Sequence, residues 1–217
     1  VYLHEVLDVW FEGTVRQELG GRASLFRYAD DAILVFSSKQ DALRVLRVLP
    51  KRFAEYGLTL HPDKTRLVRF RRPPRGPSPD GTLPRSESFD LLGFTHYWGK
   101  SRRGKRVVKR KTAKARLRNA LVRIGRWCAT HRHDRVSAQR RVLARKMLGH
   151  YAYYGITGNY PALQSFYRRS RAIWRFWLNR RSQRRHMPWP RFERLERRHP
   201  LPPPRVVHTV FAGAAKP

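Results

Sequence analysis

The first third of the chain alternates between apolar runs and short polar inserts. Leu25-Phe26-Arg27 and Ile33-Leu34-Val35-Phe36 belong to β-rich, mainly apolar runs, and the insert Tyr28-Ala29-Asp30-Asp31 lies between them. A short insert between two such runs predicts a β-hairpin with a tight turn. We therefore expect Asp30 and Asp31 at the tip of that hairpin.

Helical spacing predicts one helix on each side of this hairpin. Residues 1–11 carry a single apolar stripe, as a packed helix does. Ser38 is placed to cap a second helix, Gly57 to end it, and Pro50 to kink it. The side chains expected on the buried faces are Leu3, Val6, Leu7, Trp10 and Phe11 in the first helix, and Leu43, Leu46 and Phe53 in the second.

Beyond residue 105 the pattern turns helical and rich in arginine. Helices are predicted over residues 112–130, 137–149 and 159–180, because apolar residues recur there at helical spacing. The predicted buried positions are Leu117, Leu121, Ile124, Cys128, Leu143, Met147, Leu163, Phe166, Tyr167, Ser170, Trp174, Trp177 and Leu178. Aromatic residues at this spacing usually pack in a core, so we do not interpret Trp174 or Trp177 as base-stacking residues.

Three stretches carry weaker signals. Residues 66–70 are predicted to form a strand, and residues 71–88, rich in Pro, Gly, Ser and Arg, to form a loop. Residues 210–217 are expected to fray.

The strongly positive charge of the chain is its most informative overall property. The 217 residues include 48 Lys and Arg against 15 Asp and Glu, a formal net charge of +33. Such an excess indicates a polyanion partner, and nucleic acid is the default. No apolar run is long enough to cross a bilayer, and no signal peptide is visible. Cys128 is the only cysteine, which excludes a disulfide framework within one chain.

The adjacent carboxylates of Asp30 and Asp31 allow two interpretations. Neighbouring residues of a strand point to opposite faces, so both acids can reach the same metal ions only where the backbone reverses. A hairpin turn provides that reversal, and carboxylate oxygens suit Mg²⁺, the metal of nucleotidyl transfer. Taken by itself, the same tetrapeptide also fits a solvated turn.

The order of these segments resembles the group II intron-encoded reverse transcriptases, also called intron maturases. Residues 1–11 are similar to the palm helix of that family, and Phe26-Arg27-Tyr28-Ala29-Asp30-Asp31 to its catalytic hairpin. The resemblance implies that Asp30 and Asp31 are catalytic and bind Mg²⁺, and that Tyr28 contacts nucleic acid.

Two further segments extend this resemblance. The segment ending in Lys64-Thr65 is similar to one whose lysine lies near the incoming nucleotide, so Lys64 is a candidate for contacting the triphosphate or protonating pyrophosphate. The alternative is a surface lysine. Leu92-Gly93-Phe94 resembles the hairpin that holds the primer end, where a glycine lets nucleic acid approach the backbone closely.

The helical region resembles the thumb, or domain X, from Lys111 through Tyr151 and Trp174 to Pro202. The implied fold is α+β: a partial polymerase palm with an antiparallel sheet and packed helices, followed by an α-helical thumb bundle. The implied domains are palm (1–105), thumb (106–200) and tail (201–217). The arginines that we expect to bind nucleic acid are Arg116, Arg123, Arg168, Arg169 and Arg175.

One departure from the family pattern limits this interpretation. The third carboxylate and the fingers of such a polymerase would precede Val1, and the chain opens inside a helical pattern, as though cut from something longer. Three hypotheses follow: a reverse transcriptase with an incomplete active site, a non-catalytic RNA-binding splicing factor, or a degenerate fragment.

The expected partners are intron and template RNA, a DNA primer, deoxynucleoside triphosphates and a missing N-terminal half. The expected location is the bacterial cytoplasm or an organelle.

Overall fold

The computed structural model describes residues 2–73, 86–182 and 186–209, and within them the fold is α+β, with small antiparallel sheets and six α-helices. The chain divides into two compact units, Val1–Phe70 and Arg71–Pro217, hereafter the first and second units. The predicted boundary between palm and thumb at residue 105 is a functional assignment and stays a prediction.

The first unit has the predicted order of helix, hairpin and helix. Its two strands pair antiparallel, with Ala23 opposite Phe36 and Tyr28 opposite Asp31, which confirms the hairpin. The regular elements are a π-helix (His4–Val9), α1 (Trp10–Gly13), a 3₁₀ turn (Val15–Glu18), β1 (Ala23–Tyr28), β2 (Asp31–Phe36) and α2 (Lys39–Glu55).

Helix α2 begins as its sequence predicts. The Ser38 hydroxyl accepts a hydrogen bond from the backbone N–H of Asp41 at 3.4 Å, and Gly57 follows the helix with a positive φ of 67°. The helix is continuous through Pro50.

The buried face of α2 agrees with the predicted one at Phe53 and differs at the other two predicted positions. Leu43 and Leu46 are only half-buried. The stripe that reaches the core starts one residue earlier, at Ala42, and recurs at helical spacing. Its apolar members are Ala42, Val45, Leu49 and Phe53, of which Leu49 and Phe53 pack against Val6 and Leu7.

The strand predicted over residues 66–70 is wrong. The described part of the chain contains a two-stranded and a three-stranded ladder, and this segment belongs to neither. Alternation of charged and apolar side chains permits a strand, but the preference of a segment for a strand depends strongly on its surroundings. Leu67 is 46% exposed, which agrees with a surface loop.

The second unit contains a three-stranded antiparallel sheet that the sequence predicted only in part. The turn between β3 (Phe89–Leu91) and β4 (Phe94–Lys100) is the expected hairpin, with Leu91 opposite Phe94. Strand β5 (Arg106–Thr112) pairs with β4 along its whole length, whereas we expected the helical pattern to start there. Its sequence, Arg-Val-Val-Lys-Arg-Lys-Thr, places cations on both faces, so no period-2 apolar signal marks it.

Four helices complete the described part of the second unit. The first three confirm the predicted helices, with α4 running five residues further than expected, to Tyr154. Helix α6 was not predicted, because prolines at 188 and 190 and several arginines obscure its pattern. The bounds are α3 (Lys114–Thr130), α4 (Val136–Tyr154), α5 (Tyr160–Asn179) and α6 (Trp189–Arg198).

A single aromatic-rich core joins these helices. Trp174 is fully buried and meets the Phe192 ring edge-to-face at 5.6 Å, which confirms that it is a core residue, while Trp177 is half-buried beside it. The chain after α6 folds back onto the bundle: Leu201 is buried, and the Tyr151 hydroxyl donates to the Pro202 carbonyl at 3.2 Å. The predicted fraying of residues 210–217 and most of the predicted loop at 71–88 lie outside the described residues.

One buried glutamine ties the turn between α3 and α4 to α5. The Gln139 side-chain amide, only 2% exposed, donates to the carbonyl oxygens of His131, Arg132 and Asp134 at 2.9 to 3.1 Å. Its oxygen accepts from the Trp174 indole at 2.8 Å. The glutamine therefore satisfies the buried Trp174 indole and adds hydrogen bonds to the carbonyl groups of the turn.

We expect Gln139→Leu to destabilise the protein by about 3 kcal/mol, because a buried indole N–H and the carbonyl groups of the turn lose the hydrogen bonds that Gln139 supplies. Chemical denaturation with tryptophan fluorescence measures this change. The matched control is Gln164→Leu at an exposed position of α5, where we expect a change within about 0.5 kcal/mol. Equal losses in both variants would contradict the role given to Gln139.

Candidate catalytic turn and nucleic-acid interface

Asp30 and Asp31 lie at the tip of the β1–β2 hairpin, as the sequence predicts. Asp30 belongs to the two-residue turn, and Asp31 is the first residue of β2, opposite Tyr28. All three side chains are exposed, Tyr28 by 68%. Among the described residues, neither carboxylate takes part in a hydrogen bond or ion pair, so both are available to an external ligand.

An ion pair that the sequence analysis missed holds this turn to the N-terminal helical segment. The Arg27 Nε donates to Asp8 Oδ1 at 2.7 Å, and its Nη2 donates to Asp8 Oδ2 at 2.6 Å. The third guanidinium nitrogen, Nη1, donates to the backbone oxygen of Ala29 at 2.9 Å. Arg27 thus joins the helical segment to the turn beside the two acids, and sequence spacing gave no signal for a pairing 19 residues apart.

The backbone at Ala29 explains why such a contact matters. Ala29 has a φ of 54°, in the left-handed region that costs a residue with a Cβ about 1–2 kcal/mol. Unfavourable backbone conformations of this kind persist where the surroundings over-determine them. The hydrogen bond from Arg27 to the Ala29 carbonyl fixes the peptide immediately before Asp30.

The same ion pair changes the acidity of Asp8. The hydrogen bonds from Arg27 lower the pKa of Asp8 from 3.8 to about 2, with burial opposing the shift and His4 adding to it. The pKa of Arg27 is raised in turn by its hydrogen bonds to Asp8. Asp8 therefore stays ionised at neutral pH and is engaged in holding the turn.

The turn residues fit the chemistry of Mg²⁺ in part. Exposed carboxylates with no protein partner are suitable oxygen ligands for a hard divalent cation. The described residues contain no group of three or more His, Cys, Asp or Glu that could hold a metal ion. Asp30 and Asp31 can thus supply two ligands, and a complete polymerase site would need another acid.

Lys64 lies in an exposed turn of the first unit, where its backbone N–H donates to the His61 carbonyl at 3.2 Å. No hydrogen bond or ion pair connects its side chain to Asp30 or Asp31 in the described structure. Its predicted role near the nucleotide stays a prediction.

The turn at Leu92-Gly93-Phe94 is supported by two tyrosines of α4. Leu92 and Gly93 both have positive φ, 49° and 76°. The Tyr153 hydroxyl donates to the Leu92 carbonyl at 2.9 Å, and the Tyr153 ring stacks on Phe94 at 5.9 Å.

The second tyrosine gives a local reason for the glycine. A Cβ at Gly93 would lie 2.9 Å from the Tyr154 hydroxyl. Backbone conformation and close protein packing therefore both favour glycine here, whereas the sequence analysis ascribed it to an approaching nucleic acid. The predicted contact of this turn with nucleic acid stays a prediction.

The arginines expected to bind nucleic acid fall into two groups. Arg116, Arg123, Arg168 and Arg169 are exposed on α3 and α5. Arg175 is half-buried and engaged within the protein: its Nη1 donates to the Met187 carbonyl at 2.8 Å, and its guanidinium lies 4.4 Å from the centroid of Trp189. The exposed group is available to a partner, and Arg175 also has a structural role.

A comparison with protein-family models covers the first part of the chain. Residues 2–96 match the family described as reverse transcriptase (RNA-dependent DNA polymerase). This part of the chain resembles a reverse transcriptase. No curated protein matches the chain. The reverse transcriptase match includes the β1–β2 turn, Lys64 and the Leu92-Gly93-Phe94 turn, and it ends before α3.

This match supports nucleic-acid binding at the level of the family. None of the described helices is both long and apolar enough to cross a membrane.

Removing the positive charge of Arg27 should change the titration of Asp8. We expect the pKa of the Asp8 carboxyl to be about 2 in the unaltered protein and to return towards 3.8 in Arg27→Gln, as measured by carbon-detected NMR.

Because the folded-state pKa of Asp8 is depressed, the ion pair stabilises the fold above pH 3.8, and this stabilisation is lost as the pH falls to about 2. Asp8→Asn should therefore flatten the loss of stability in this window, and the exposed control Glu5→Gln should not. A normal Asp8 pKa in the unaltered protein would contradict the ion pair.

Proposed function

We propose that the chain supplies palm and thumb parts of a group II intron reverse transcriptase, in which RNA-directed DNA synthesis is combined with intron RNA binding and splicing. The observation that carries this proposal is the reverse transcriptase match over residues 2–96, together with a turn that presents two exposed carboxylates next to a fixed backbone. The group II intron assignment rests on the sequence resemblance described above.

The chain's own residues have separate tasks in such a reaction. Asp30 and Asp31 would hold Mg²⁺, which, when bound, offsets the negative charge of the triphosphate and of the attacking primer hydroxyl. Arg27 keeps the peptide before Asp30 in place, so the carboxylates are positioned before substrate arrives. Lys64 is proposed to contact the triphosphate or protonate the pyrophosphate, and the Leu92-Gly93-Phe94 turn to support the primer end.

The hairpin also needs a covering surface if it is to act in a polymerase. Phe26 is 61% exposed and Val35 is 49% exposed, although both belong to paired strands. A two-stranded hairpin is marginally stable unless more strands or helices cover its apolar face. We propose that a further palm and fingers segment, carrying the third acid, covers this face.

A second candidate function is a non-catalytic RNA-binding splicing factor, and the charge distribution favours it. Between residues 91 and 192 the chain has 28 Lys and Arg but a single acid, Asp134. Among the described residues of this stretch, only Arg171 forms an ion pair, and its partner Glu196 follows the stretch. Exposed arginines without acidic partners are suited to the phosphates of folded RNA.

Replacing the two turn acids separates these functions. With an added fragment that carries fingers and the remaining palm acid, we expect Asp30→Asn/Asp31→Asn to lower primer extension on an RNA template at least about a hundredfold, because two metal ligands are lost. RNA affinity should stay within about twofold, since the acids do not bind phosphate. The control is Asp63→Asn, an exposed acid of the same unit.

The possible outcomes of that experiment differ clearly. Extension by the unaltered complex that depends on Asp30 and Asp31 supports the polymerase. A folded complex that binds RNA but never extends a primer contradicts it and leaves the splicing factor. Loss of splicing in the double variant at unchanged fold would count against the non-catalytic alternative.

The exposed arginines of α5 should contribute to RNA affinity mainly through charge. We expect Arg168→Gln/Arg169→Gln to reduce the slope of log affinity against log salt concentration by about 1 to 2, since each phosphate contact releases about one counterion. Fluorescence anisotropy over a salt series measures the slope. Arg168→Lys/Arg169→Lys keeps the charge and should keep the slope, so an unchanged slope in the glutamine variant would contradict this contribution.

A further inference from the structure

A cleft with a cationic rim and an apolar floor lies in the second unit. It has a volume of about 590 Å³ and is bounded by the start of α4, the end of α5 and one side of α6. Four arginines form its rim: Arg181, Arg191, Arg194 and Arg198. Met187 and Leu195 line its apolar part, which we call the floor, and no Asp or Glu is among the described residues that line the cleft. This volume is within the range of small-ligand sites, roughly 300–1,000 Å³.

Helix α6 separates its charges by face. Arg191, Arg194 and Arg198 recur at helical spacing on the side that borders the cleft. Glu193 and Glu196 do not line it, and both Glu196 oxygens accept hydrogen bonds from Arg171, which is not a rim residue. The acids that could have neutralised the rim are therefore placed elsewhere, and the rim keeps its charge.

Two rim arginines are held in position by backbone carbonyl groups. The Arg181 Nη2 donates to the carbonyl oxygens of His133 and Asp134 at 2.9 and 2.7 Å, and the Arg191 Nη1 donates to His186 at 3.3 Å. Each of these interactions uses one nitrogen of a guanidinium group that has five N–H donors. The remaining donors of these two side chains are available. Arg194 and Arg198 are exposed and take part in no hydrogen bond or ion pair within the described residues, so all of their donors can reach a ligand.

This combination fits one chemical class of ligand, a phosphate ester that carries a planar apolar group. Guanidinium groups bind phosphate in a bidentate manner, and an apolar floor accommodates a nucleobase. We propose that the cleft binds an unpaired nucleotide of an RNA strand, with its phosphate at Arg194 and Arg198 and its base against Met187 and Leu195. The choice of RNA over a free nucleotide follows from the cationic surface around the cleft, and it rests on the RNA binding proposed above.

The test compares two pairs of exposed arginines that carry equal charge. Arg194→Gln/Arg198→Gln alters the cleft, whereas Arg102→Gln/Arg103→Gln alters a turn between β4 and β5 that does not line it. Affinity is measured by anisotropy for oligouridylate and for an oligomer of the same length that is abasic at every position. Circular dichroism verifies that each variant keeps the fold.

We expect the unaltered protein to bind oligouridylate about tenfold more tightly than the abasic oligomer, because a bound base contributes to affinity. The cleft pair should lose this preference together with about tenfold in oligouridylate affinity. The control pair should keep the preference. Photocrosslinks from 4-thiouridine should fall between residues 178 and 199.

Three results would overturn the proposal, and they differ from one another. Equal losses in both pairs with no preference for the base would show that the cleft arginines supply only general charge. Adenosine monophosphate that binds the cleft without competing with RNA would show a free nucleotide site. Absence of salt-sensitive RNA binding in the unaltered protein would remove the function proposed above as well.

Discussion

Repulsion among like charges is the constraint on which the second unit of this protein depends. Its cations greatly outnumber its acids, so most of its arginines have no Asp or Glu with which to form an ion pair. The arginines use two other partners instead, backbone carbonyl groups and aromatic rings. Arg140 donates to the Pro200 carbonyl at 2.9 Å, Arg132 donates to the Ala129 carbonyl at 3.0 Å, and Arg180 lies 4.2 Å from the Phe176 centroid. Such contacts favour the charged side chain without cancelling its charge, so the folded unit remains a strong polycation.

A second constraint appears at the two turns that we connect with catalysis. Ala29 and Leu92 are the non-glycine residues with positive φ in the described structure. Each has its carbonyl oxygen bound by a long side chain from outside the turn: Arg27 binds Ala29, and Tyr153 binds Leu92. Both turns thus combine an unfavourable backbone conformation with a hydrogen bond that fixes it. This combination is typical of positions where side-chain geometry matters more than stability.

The sequence predicted those parts of the fold that depend on local pattern. The β1–β2 hairpin, the cap at Ser38, and the buried face of α5 followed from periodicity and turn chemistry. Prediction from the sequence failed where the structure of a segment depends on contacts with residues far away in the chain. Residues 66–70 have a strand pattern but belong to neither of the sheets in the described part of the chain, whereas β5 pairs with β4 despite a sequence dominated by cations.

The same distinction holds for the candidate sites. Asp30 and Asp31 could be placed from the sequence because the turn between two strands fixes their position. The contact between Arg27 and Asp8, the four hydrogen bonds of Gln139, and the rim of the α5–α6 cleft could not be placed, since each joins segments whose separation carries no periodic signal.

The two proposed activities depend on different physical properties and are therefore separable. Metal binding at Asp30 and Asp31 needs a turn held to within a fraction of an ångström, and it also needs a further acid. RNA binding by the second unit needs mainly a high density of exposed cations, which tolerates single substitutions. A change that disturbs Arg27 or Ala29 would abolish the first activity and leave the second nearly intact. Loss of catalysis with retained RNA binding is thus the physically easier direction of change, which explains why both the polymerase and the splicing factor are compatible with a single chain of this design.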